Sequence, residues 1–458
     1  MTIVNKVILT NRSAMQHKYG GTWVLIQSAV DALIAKDLTR GLSSRLILLD
    51  DHVAMTGLGG IGVLSSASPQ QNLAAVNAVR AALSPTHVML LGSIDVIPYQ
   101  NLTNPLHVPG NIENDPDPIT WSDLPYACGQ PYSQNIDHFL TPSISVSRLP
   151  DVTHGTDAGY LVGLLNIATD YTCRPRSAYE PYMGLTKRNW SNSTKLILTA
   201  AFGNATQIHE IPPESSPWPL TLLQNLSHFI NCEGITYASQ FYATGIVVLD
   251  AEELDRHVAQ GTVVAAECCY GTELYDPAIA LGKFSVCNTY LANGAYGFLG
   301  SSTVAYSEAS VNDFADLICK YFLNHLLAGA TLGEALLEAR REYIAINSPL
   351  SDKDLKTLAQ FTLLGDPSLR PVCLEKEGTA MEFIGRVVER IFAKGTKSER
   401  LAIMLITEGH EYILRRQGVP PFHDPELEKL VDKKVRCKGI VYGYTLFITK
   451  ATIIDSDE

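Results

Sequence analysis

Long apolar runs are absent from this 458-residue sequence, and no stretch approaches the roughly 20 residues that a membrane-spanning helix needs. A CxxC pair and a cluster of histidines and cysteines are also absent, so we expect no zinc or other metal site and no cofactor. Charged residues are few, at 18%, against 46% hydrophobic residues, which excludes a disordered chain. The sequence therefore predicts a folded protein away from membranes, with about two or three domains.

The cysteines are odd in number and lack the spacing of a disulfide framework. They stand at nine positions: Cys128, Cys173, Cys232, Cys268, Cys269, Cys287, Cys319, Cys373 and Cys437. The segment from Met1 to Thr10 does not resemble a signal peptide, because Asn5 and Lys6 interrupt its apolar stretch. We therefore expect reduced thiols and a cytoplasmic location.

Charge is unevenly distributed. The formal net charge of −12 disfavours general binding to nucleic acid. From Ala380 to the end the chain has 13 basic and 12 acidic side chains, whereas the remainder has 22 and 35. This shift predicts a main domain over residues 1–375, with possible subdomains 1–190 and 191–375, and a small domain over residues 380–458.

Short apolar strands alternate with helical patterns in the main domain. Strands are predicted at Arg45–Asp50, His87–Gly92, Ser143–Val146, Lys195–Ala200, His228–Cys232, Thr262–Glu267 and Tyr296–Leu299. Helices are predicted at Ala14–Ala35, Asn72–Leu83, Ala158–Tyr171, Val311–Leu327 and Leu332–Ile346. The alternation predicts an α/β fold whose mostly parallel sheet carries helices on both faces. Catalytic groups in such sheets lie after strands, where Gly92, Glu233, Cys268 and Cys269 are placed.

The small domain is predicted to be a β-barrel. Strands are predicted at Glu382–Phe392, Arg400–Thr407, Glu411–Arg416, Lys434–Tyr442 and Thr445–Ile454, with a helix at Pro425–Val431. Five strands with a helix between the third and fourth suggest an OB-like barrel. A nucleic-acid face would be formed by Arg415, Arg416, Lys433 and Lys434. With few aromatic residues to stack on bases, we favour a module that docks another protein or a second copy.

The run Gly261-Thr-Val-Val-Ala-Ala-Glu-Cys-Cys-Tyr-Gly271 combines a buried strand, two thiols and a turn. A thiol at such a strand end is how several cysteine hydrolases present their nucleophile. The alternative is two buried, inert thiols, since free cysteine is among the most buried residue types.

Four further segments resemble the gingipain-type cysteine peptidases of the caspase-like clan. They are His87-Val-Met-Leu-Leu-Gly-Ser-Ile-Asp-Val-Ile-Pro98, Ser143-Ile-Ser-Val-Ser-Arg-Leu-Pro150, Gly294-Ala-Tyr-Gly-Phe-Leu-Gly-Ser-Ser302 and Leu363-Leu-Gly-Asp-Pro-Ser-Leu-Arg370. The resemblance spans about residues 11–372 and implies a peptidase with a Cys/His dyad, acting on protein or peptide substrates through a thioester. The family's Cys-x-x-Gly spacing nominates Cys268, whereas the caspase spacing Cys-x-Gly nominates Cys269. Because the flanking motifs resemble the gingipain type, the resemblance implies Cys268 as the nucleophile.

The family's His-Gly pair is replaced here by Glu233 and Gly234, whose backbone is a candidate oxyanion donor. A histidine lowers the pKa of a nearby thiol and returns a proton to the leaving amine, whereas a carboxylate disfavours the thiolate. We therefore expect a peptidase that is inactive or impaired by several powers of ten. Either this is a natural pseudopeptidase that serves as a binding or regulatory module, or a native histidine has been replaced.

Other histidines are weaker candidates for the dyad. His154 precedes a glycine near a helix start, His209 and His257 lie in connecting segments, and His87 and His228 begin strands. A third hypothesis makes the protein a nucleic-acid sensor that uses the small domain as its reader.

The substrate pocket in this clan is formed near the strand after the cysteine. Its wall is predicted from Ser301, Ser302, Thr303 and Tyr306. Glu273 and Asp276 are candidates to attract a basic side chain, although a solvated loop is the simpler interpretation. The long loop Asn101–Pro142 is predicted to cover the site.

Overall fold

The structure is a computed structural model that describes residues 4–111, 115–212, 219–236, 238–241, 245–373, 381–392, 400–407, 411–416, 424–442 and 445–454. The chain divides into two compact units, Met1–Cys373 and Leu374–Glu458. Among the helices of these described ranges, none has the length and apolar character to cross a membrane.

The first half of the large unit contains six strands and six α-helices. In chain order they are β1 (Lys6–Thr10), α1 (Arg12–Tyr19), α2 (Trp23–Thr39), β2 (Ser44–Leu48), α3 (His52–Gly57), α4 (Pro69–Leu83), β3 (His87–Leu91), β4 (Gln100–Thr103), β5 (Ile119–Ser122), α5 (Leu124–Cys128), β6 (Ser145–Leu149) and α6 (Ala158–Asp170).

The second half continues the alternation. Its elements are α7 (Arg176–Tyr179), β7 (Tyr182–Lys187), α8 (Ser191–Phe202), β8 (Ile208–Ile211), α9 (Leu220–Leu223), β9 (Ser227–Asn231), β10 (Ala238–Phe241), β11 (Ile246–Asp250), α10 (Ala251–Leu254), β12 (Val263–Ala266), α11 (Val286–Ala292), β13 (Gly297–Ser301), α12 (Phe314–Leu327), α13 (Leu332–Asn347), α14 (Asp352–Gln360) and β14 (Phe361–Gly365).

Ten of these strands form one sheet in the order β2-β1-β3-β6-β14-β13-β12-β9-β7-β8. Neighbouring strands are parallel along β2-β1-β3-β6 and along β13-β12-β9-β7-β8, whereas β13 and β14 are antiparallel. The predicted mostly parallel α/β fold is confirmed. The Tyr99 hydroxyl, shortly after β3, donates to the Thr272 carbonyl at 3.3 Å, so the segments that follow β3 and β12 lie at the same end of the sheet.

Two local predictions are wrong, and three strands of the sheet were missed. Lys195–Ala200 is not a strand but part of α8, in which Ile197, Leu198 and Ala201 are buried at helical spacing. The predicted single helix Ala14–Ala35 is two helices, because the chain breaks at Gly20, where φ is +54°. The strands β1, β7 and β14 were not predicted, since each is a run of only five or six residues without alternation.

Two buried ion pairs explain motifs in the part of the sheet that contains β1, β3, β6 and β14. Arg148, of the Ser-Arg-Leu-Pro segment, donates to Asp123 at 3.0 and 2.6 Å and to the Gly92 and Ile97 carbonyls at 3.1 and 2.6 Å. Lys6 on β1 donates to Asp366, of the Gly-Asp-Pro-Ser segment, at 2.6 Å. The motifs therefore neutralise charges inside the core, where an unpaired charge is costly.

One thiol prediction is also wrong. Cys173 and Cys373 form a disulfide, so these two cysteines are not reduced, whereas the other seven are free. The pairing joins residues 200 positions apart, which spacing in the sequence does not reveal.

The small unit is a closed barrel of β15 (Met381–Phe392), β16 (Arg400–Ile406), β17 (Glu411–Arg416), β18 (Lys434–Tyr442) and β19 (Thr445–Ile453), in the order β15-β16-β17-β19-β18. A short helix, α15 (Pro425–Glu428), lies between β17 and β18 along the chain. The barrel is therefore confirmed, and its assignment as an OB fold stays a prediction. Arg416 on β17 donates two hydrogen bonds to Asp424, at 2.8 and 2.7 Å.

Candidate active site

The strand that ends before Glu233 and the strand that ends before the two cysteines are parallel neighbours. Ile230 on β9 pairs with Ala266 on β12, and the Glu267 amide continues the ladder by donating to the Ile230 carbonyl at 2.7 Å. When this register is continued three residues past Ile230 and Ala266, Cys269 lies beside Glu233. The two chain segments therefore meet at one edge of the sheet, where parallel strands present functional groups.

Alternation along the two strands decides which side chains share a cavity. Successive side chains point to opposite sides, so residues two apart lie on the same side. Asn231 and Glu233 from one strand, and Glu267 and Cys269 from the other, line a cavity of about 420 Å³. Cys268 is not among the described residues that line it.

The Cys268 thiol lies in the core. Its Sγ is 3.4 Å from the Sγ of Cys232 and accepts from the Cys232 amide at 3.3 Å. Burial, and then the neighbouring Cys232 thiol, raise the pKa of Cys268 well above its ordinary value. Because this sulfur has no path to the cavity, the structure favours Cys269 over Cys268 as the candidate nucleophile.

The Cys269 thiol lies at the cavity wall and is partly exposed. The Ala305 amide donates to its Sγ at 3.3 Å, a contact that favours a thiolate. Burial raises the pKa of Cys269, whereas the Ala305 contact and the more distant Lys356 lower it. Burial has the largest effect, so the pKa is raised overall. At neutral pH the thiol is therefore mostly protonated.

Glu233 and Gly234 both line the same cavity. The Glu233 carboxylate forms an ion pair with Lys187, whose Nζ lies 5.1 Å from the centre of the Trp190 ring. A Cβ added to Gly234 would lie 3.7 Å from the Cys269 Cβ, so the glycine backbone passes close to the thiol residue. The position of the expected histidine is therefore beside Cys269, but it holds an ion-paired carboxylate.

Glu267 is a site residue that the sequence did not single out. Its side chain is only 4% exposed, it accepts from Asn231 Nδ2 at 3.3 Å, and its carboxyl lies near that of Asp316. Burial, and then the charge of Asp316, raise the pKa of Glu267 well above its ordinary value. A carboxyl two residues before Cys269, in an otherwise apolar strand, was the available signal.

The histidines weighed above lie elsewhere, and none is among the described residues that line the cavity. His154 is exposed beside Asp276, at 3.1 Å, and His257 Nδ1 donates to the Glu253 carbonyl at 2.9 Å before β12 begins. His209 is on edge strand β8. His228 is buried against the Tyr290 hydroxyl, and burial lowers its pKa to about 3. His87 is buried at the start of β3.

The four predicted wall residues occupy different places. Tyr306 lines the Cys269 cavity and donates to Asp115 Oδ2 at 2.9 Å. Ser301 is buried and donates to the Cys268 carbonyl at 2.9 Å. Ser302 and Thr303 line a neighbouring cavity instead.

The neighbouring cavity, of about 560 Å³, is acidic and aromatic. Its described lining includes Asp117, Glu273 and Trp121, and Tyr270 lines both cavities. Burial, and then the charge of Asp117, raise the pKa of Glu273. Asp117 belongs to the long loop Asn101–Pro142, so this loop forms part of the wall. Asp276 is not among the described lining residues of either cavity.

Glu267 should make stability depend on pH. Because its pKa is raised in the folded protein, its contribution is complete below the unfolded-state value of about 4.3 and is lost as pH rises through the folded-state value. Glu267→Gln keeps a neutral hydrogen-bond donor. The Glu267→Gln variant does not lose this contribution. The difference in free energy of unfolding between the variant and the unchanged protein should therefore grow in favour of the variant, by roughly 1 kcal/mol per pH unit above about pH 5. Urea titrations across this range measure the difference, and equal pH dependences would contradict it.

Comparisons with known proteins agree with this geometry. The sequence profile of Peptidase family C25 matches residues 231–372, which begin at the last residue of β9 and include β12 and the cavity residues Glu233, Gly234, Glu267 and Cys269. The fold matches the complex of RgpB pro- and mature domains from Porphyromonas gingivalis, at 10% identity and a TM-score of 0.53, over 98% of this chain and 100% of that chain. It also matches the Arg-specific cysteine proteinase gingipain R (RgpB), at 11% identity and a TM-score of 0.54, over 99% and 100%. No curated protein sequence matches the chain.

Proposed function

We propose that this chain, whose residues 231–372 match the model of peptidase family C25, is a cysteine endopeptidase whose reactive thiol is Cys269. The observation that carries the proposal is the shared cavity: the strand alternation places Cys269 beside Glu233 and Gly234, the pair that stands where the family has histidine and glycine. A buried pair of inert thiols would not explain why Cys269 lies in a cavity next to this position.

The proposed reaction is acyl transfer. The Cys269 Sγ attacks the scissile carbonyl, the amine leaves, and water then hydrolyses the thioester. Backbone amides at Gly234 and in the segment that begins at Cys268 are our candidates for stabilising the oxyanion. Closeness of the Gly234 backbone to Cys269 supports this assignment.

Specificity for a basic side chain is supported by the neighbouring cavity. Its described lining carries the carboxyls of Asp117 and Glu273 and the rings of Trp121 and Tyr270, which suit an ammonium or guanidinium group. One similar structure is described as Arg-specific. We therefore propose an arginine or lysine beside the scissile bond, with Tyr270 between the two cavities.

Impaired turnover is part of the proposal. The Glu233 carboxylate and the raised pKa of Cys269 both disfavour a thiolate, and Glu233 pairs with Lys187 instead of serving as a base. The second candidate function, a pseudopeptidase that binds peptides as a regulatory module, is favoured by the same ion pair. In either case the partner is a protein or peptide. The small barrel is proposed as a docking module, and the cytoplasmic location stays a prediction.

Alkylation mapped by mass spectrometry tests the proposal. Iodoacetamide at about pH 8 should modify Cys269 at least tenfold faster than Cys268, because only the Cys269 thiol reaches solvent. Cys269→Ala should remove both this labelling and any cleavage of peptides, whereas Cys268→Ser should leave both in place. Faster labelling at Cys268, or cleavage that survives Cys269→Ala, would refute the assignment.

A further inference from the structure

Amide cleavage at Cys269 needs a group that gives a proton to the leaving amine, and position 233 does not supply one. Glu233 is ion-paired with Lys187, and a paired carboxylate has no proton to give. Resting on the proposed function, we infer that Glu267 is the catalytic acid of this site and that Asp316 is its positioning residue.

Geometry brings Glu267 to the reacting atoms. It lies two residues before Cys269 on the same side of the strand, about 7 Å away along the backbone, and both side chains line the cavity. We place the amine nitrogen of a bound substrate between these two side chains, because both line the cavity. Hydrogen bonding from Asn231 Nδ2, at 3.3 Å, holds one Glu267 oxygen towards β9.

The second oxygen of the Glu267 carboxyl, Oε2, has no hydrogen-bond partner among the described residues. This oxygen is buried, and the carboxyl of Asp316 lies near it. Two neighbouring carboxyls out of contact with water do not both ionise, so they share a proton.

Burial raises the pKa of Asp316 as well, but more hydrogen-bond donors stabilise its carboxylate than that of Glu267. Asp316 occupies the third position of α12, closes a capping box with Asp313, and accepts from Ser193 Oγ at 2.6 Å. Donors at a helix N-terminus favour its carboxylate. The shared proton therefore belongs to Glu267. Cys319 is the other titratable group near this pair, and it is buried and neutral.

The pair can carry both proton transfers of the reaction. As the sulfur–carbon bond forms, the thiol proton passes to the Glu267–Asp316 pair. As the carbon–nitrogen bond breaks, the pair gives one proton to the amine, so it ends the acylation step with the single proton it began with. In deacylation it accepts a proton from water and returns one to the sulfur. No other co-reactant is required.

Two substrates that differ only in the leaving group test the assignment. A para-nitrophenyl ester releases a stable anion and needs no acid, whereas the matching para-nitroanilide needs a proton on nitrogen. With N-acyl arginine as the acyl group, and N-acyl alanine for comparison, Glu267→Gln should lower kcat/KM for the anilide about 100-fold and change that for the ester by less than about threefold. Asp316→Asn should shift the pH profile of anilide cleavage, and Glu252→Gln on the surface is the matched control.

Rescue separates an acid role from damage to the fold. In the Glu233→His background the new histidine can protonate the amine, so adding Glu267→Gln should there lower anilide cleavage by less than about tenfold. Equal loss of ester and anilide cleavage in Glu267→Gln, or no loss of either, overturns the inference while the proposed function stands. If the unchanged protein cleaves neither substrate and Cys269 is not alkylated, the proposed function fails and the inference fails with it.

Discussion

Glu233→His is expected to raise the rate of peptide cleavage by about 10²- to 10⁴-fold, the range that a positioned acid–base group contributes. The imidazole would lie beside Cys269, accept the thiol proton and return it to the leaving amine. Replacing the carboxylate also removes a negative charge that disfavours the thiolate. Lys187, freed from its pairing with position 233, would favour a neutral imidazole and a charged sulfur. Initial rates on an arginine anilide, with active sites counted by alkylation, measure the change.

Glu233→Gln is the matched control for this prediction. It removes the charge without adding a base, so its rate should stay within about tenfold of the unchanged protein. A histidine variant no faster than the glutamine variant would show that position 233 does not act on the thiol. It would then favour the peptide-binding module over the peptidase.

Asp123→Ala is expected to lower the free energy of unfolding by about 3–5 kcal/mol, the cost of leaving a buried charge without its partner. Arg148 is fully buried, and Asp123 is the carboxylate that faces its guanidinium, at 2.6 and 3.0 Å. In this variant the carbonyls of Gly92 and Ile97 still accept from Arg148, but they carry no full charge and cannot neutralise the guanidinium. Urea unfolding followed by tryptophan fluorescence measures the loss.

A double variant identifies the cause of this loss. Asp123→Leu combined with Arg148→Met removes both charges and fills much of the volume, so it should recover most of the stability lost in Asp123→Ala. If the double variant is no more stable than Asp123→Ala, the packing of these side chains matters and their charge does not. Asp31→Ala, a change of the same type on helix α2, should cost less than about 0.5 kcal/mol.

The sequence predicted the fold class and the place of the site because both depend on local patterns. Short apolar strands between helices are sufficient for a mostly parallel sheet, and strand ends locate its chemistry. The antiparallel pairing of β13 with β14 depends on contacts between distant segments, so nothing local revealed that β14 runs against β13. Lys195–Ala200 was wrong because a run of six apolar-rich residues is compatible with a strand or a buried helix.

The choice between the two cysteines needed the partner strand. β12 is buried on both sides, so its own sequence shows no alternation that separates an inward thiol from one facing the cavity. The register with β9 supplies the missing information, because it sets Cys269, and not Cys268, beside Glu233. Glu267 was missed for a related reason: its pairing with Asp316 joins residues 49 positions apart.

The adjacent thiols have a consequence for how this strand end can evolve. A strand has a two-residue phase, and inserting or deleting one residue in it exchanges the sides on which all later side chains point. One such change between Ala266 and Cys268 would turn Cys268 into the cavity and Cys269 into the core. Cys268 stands three residues before Gly271 and Cys269 stands two residues before it. The two spacings thus correspond to the two phases of one strand end, and this chain has a cysteine in each phase.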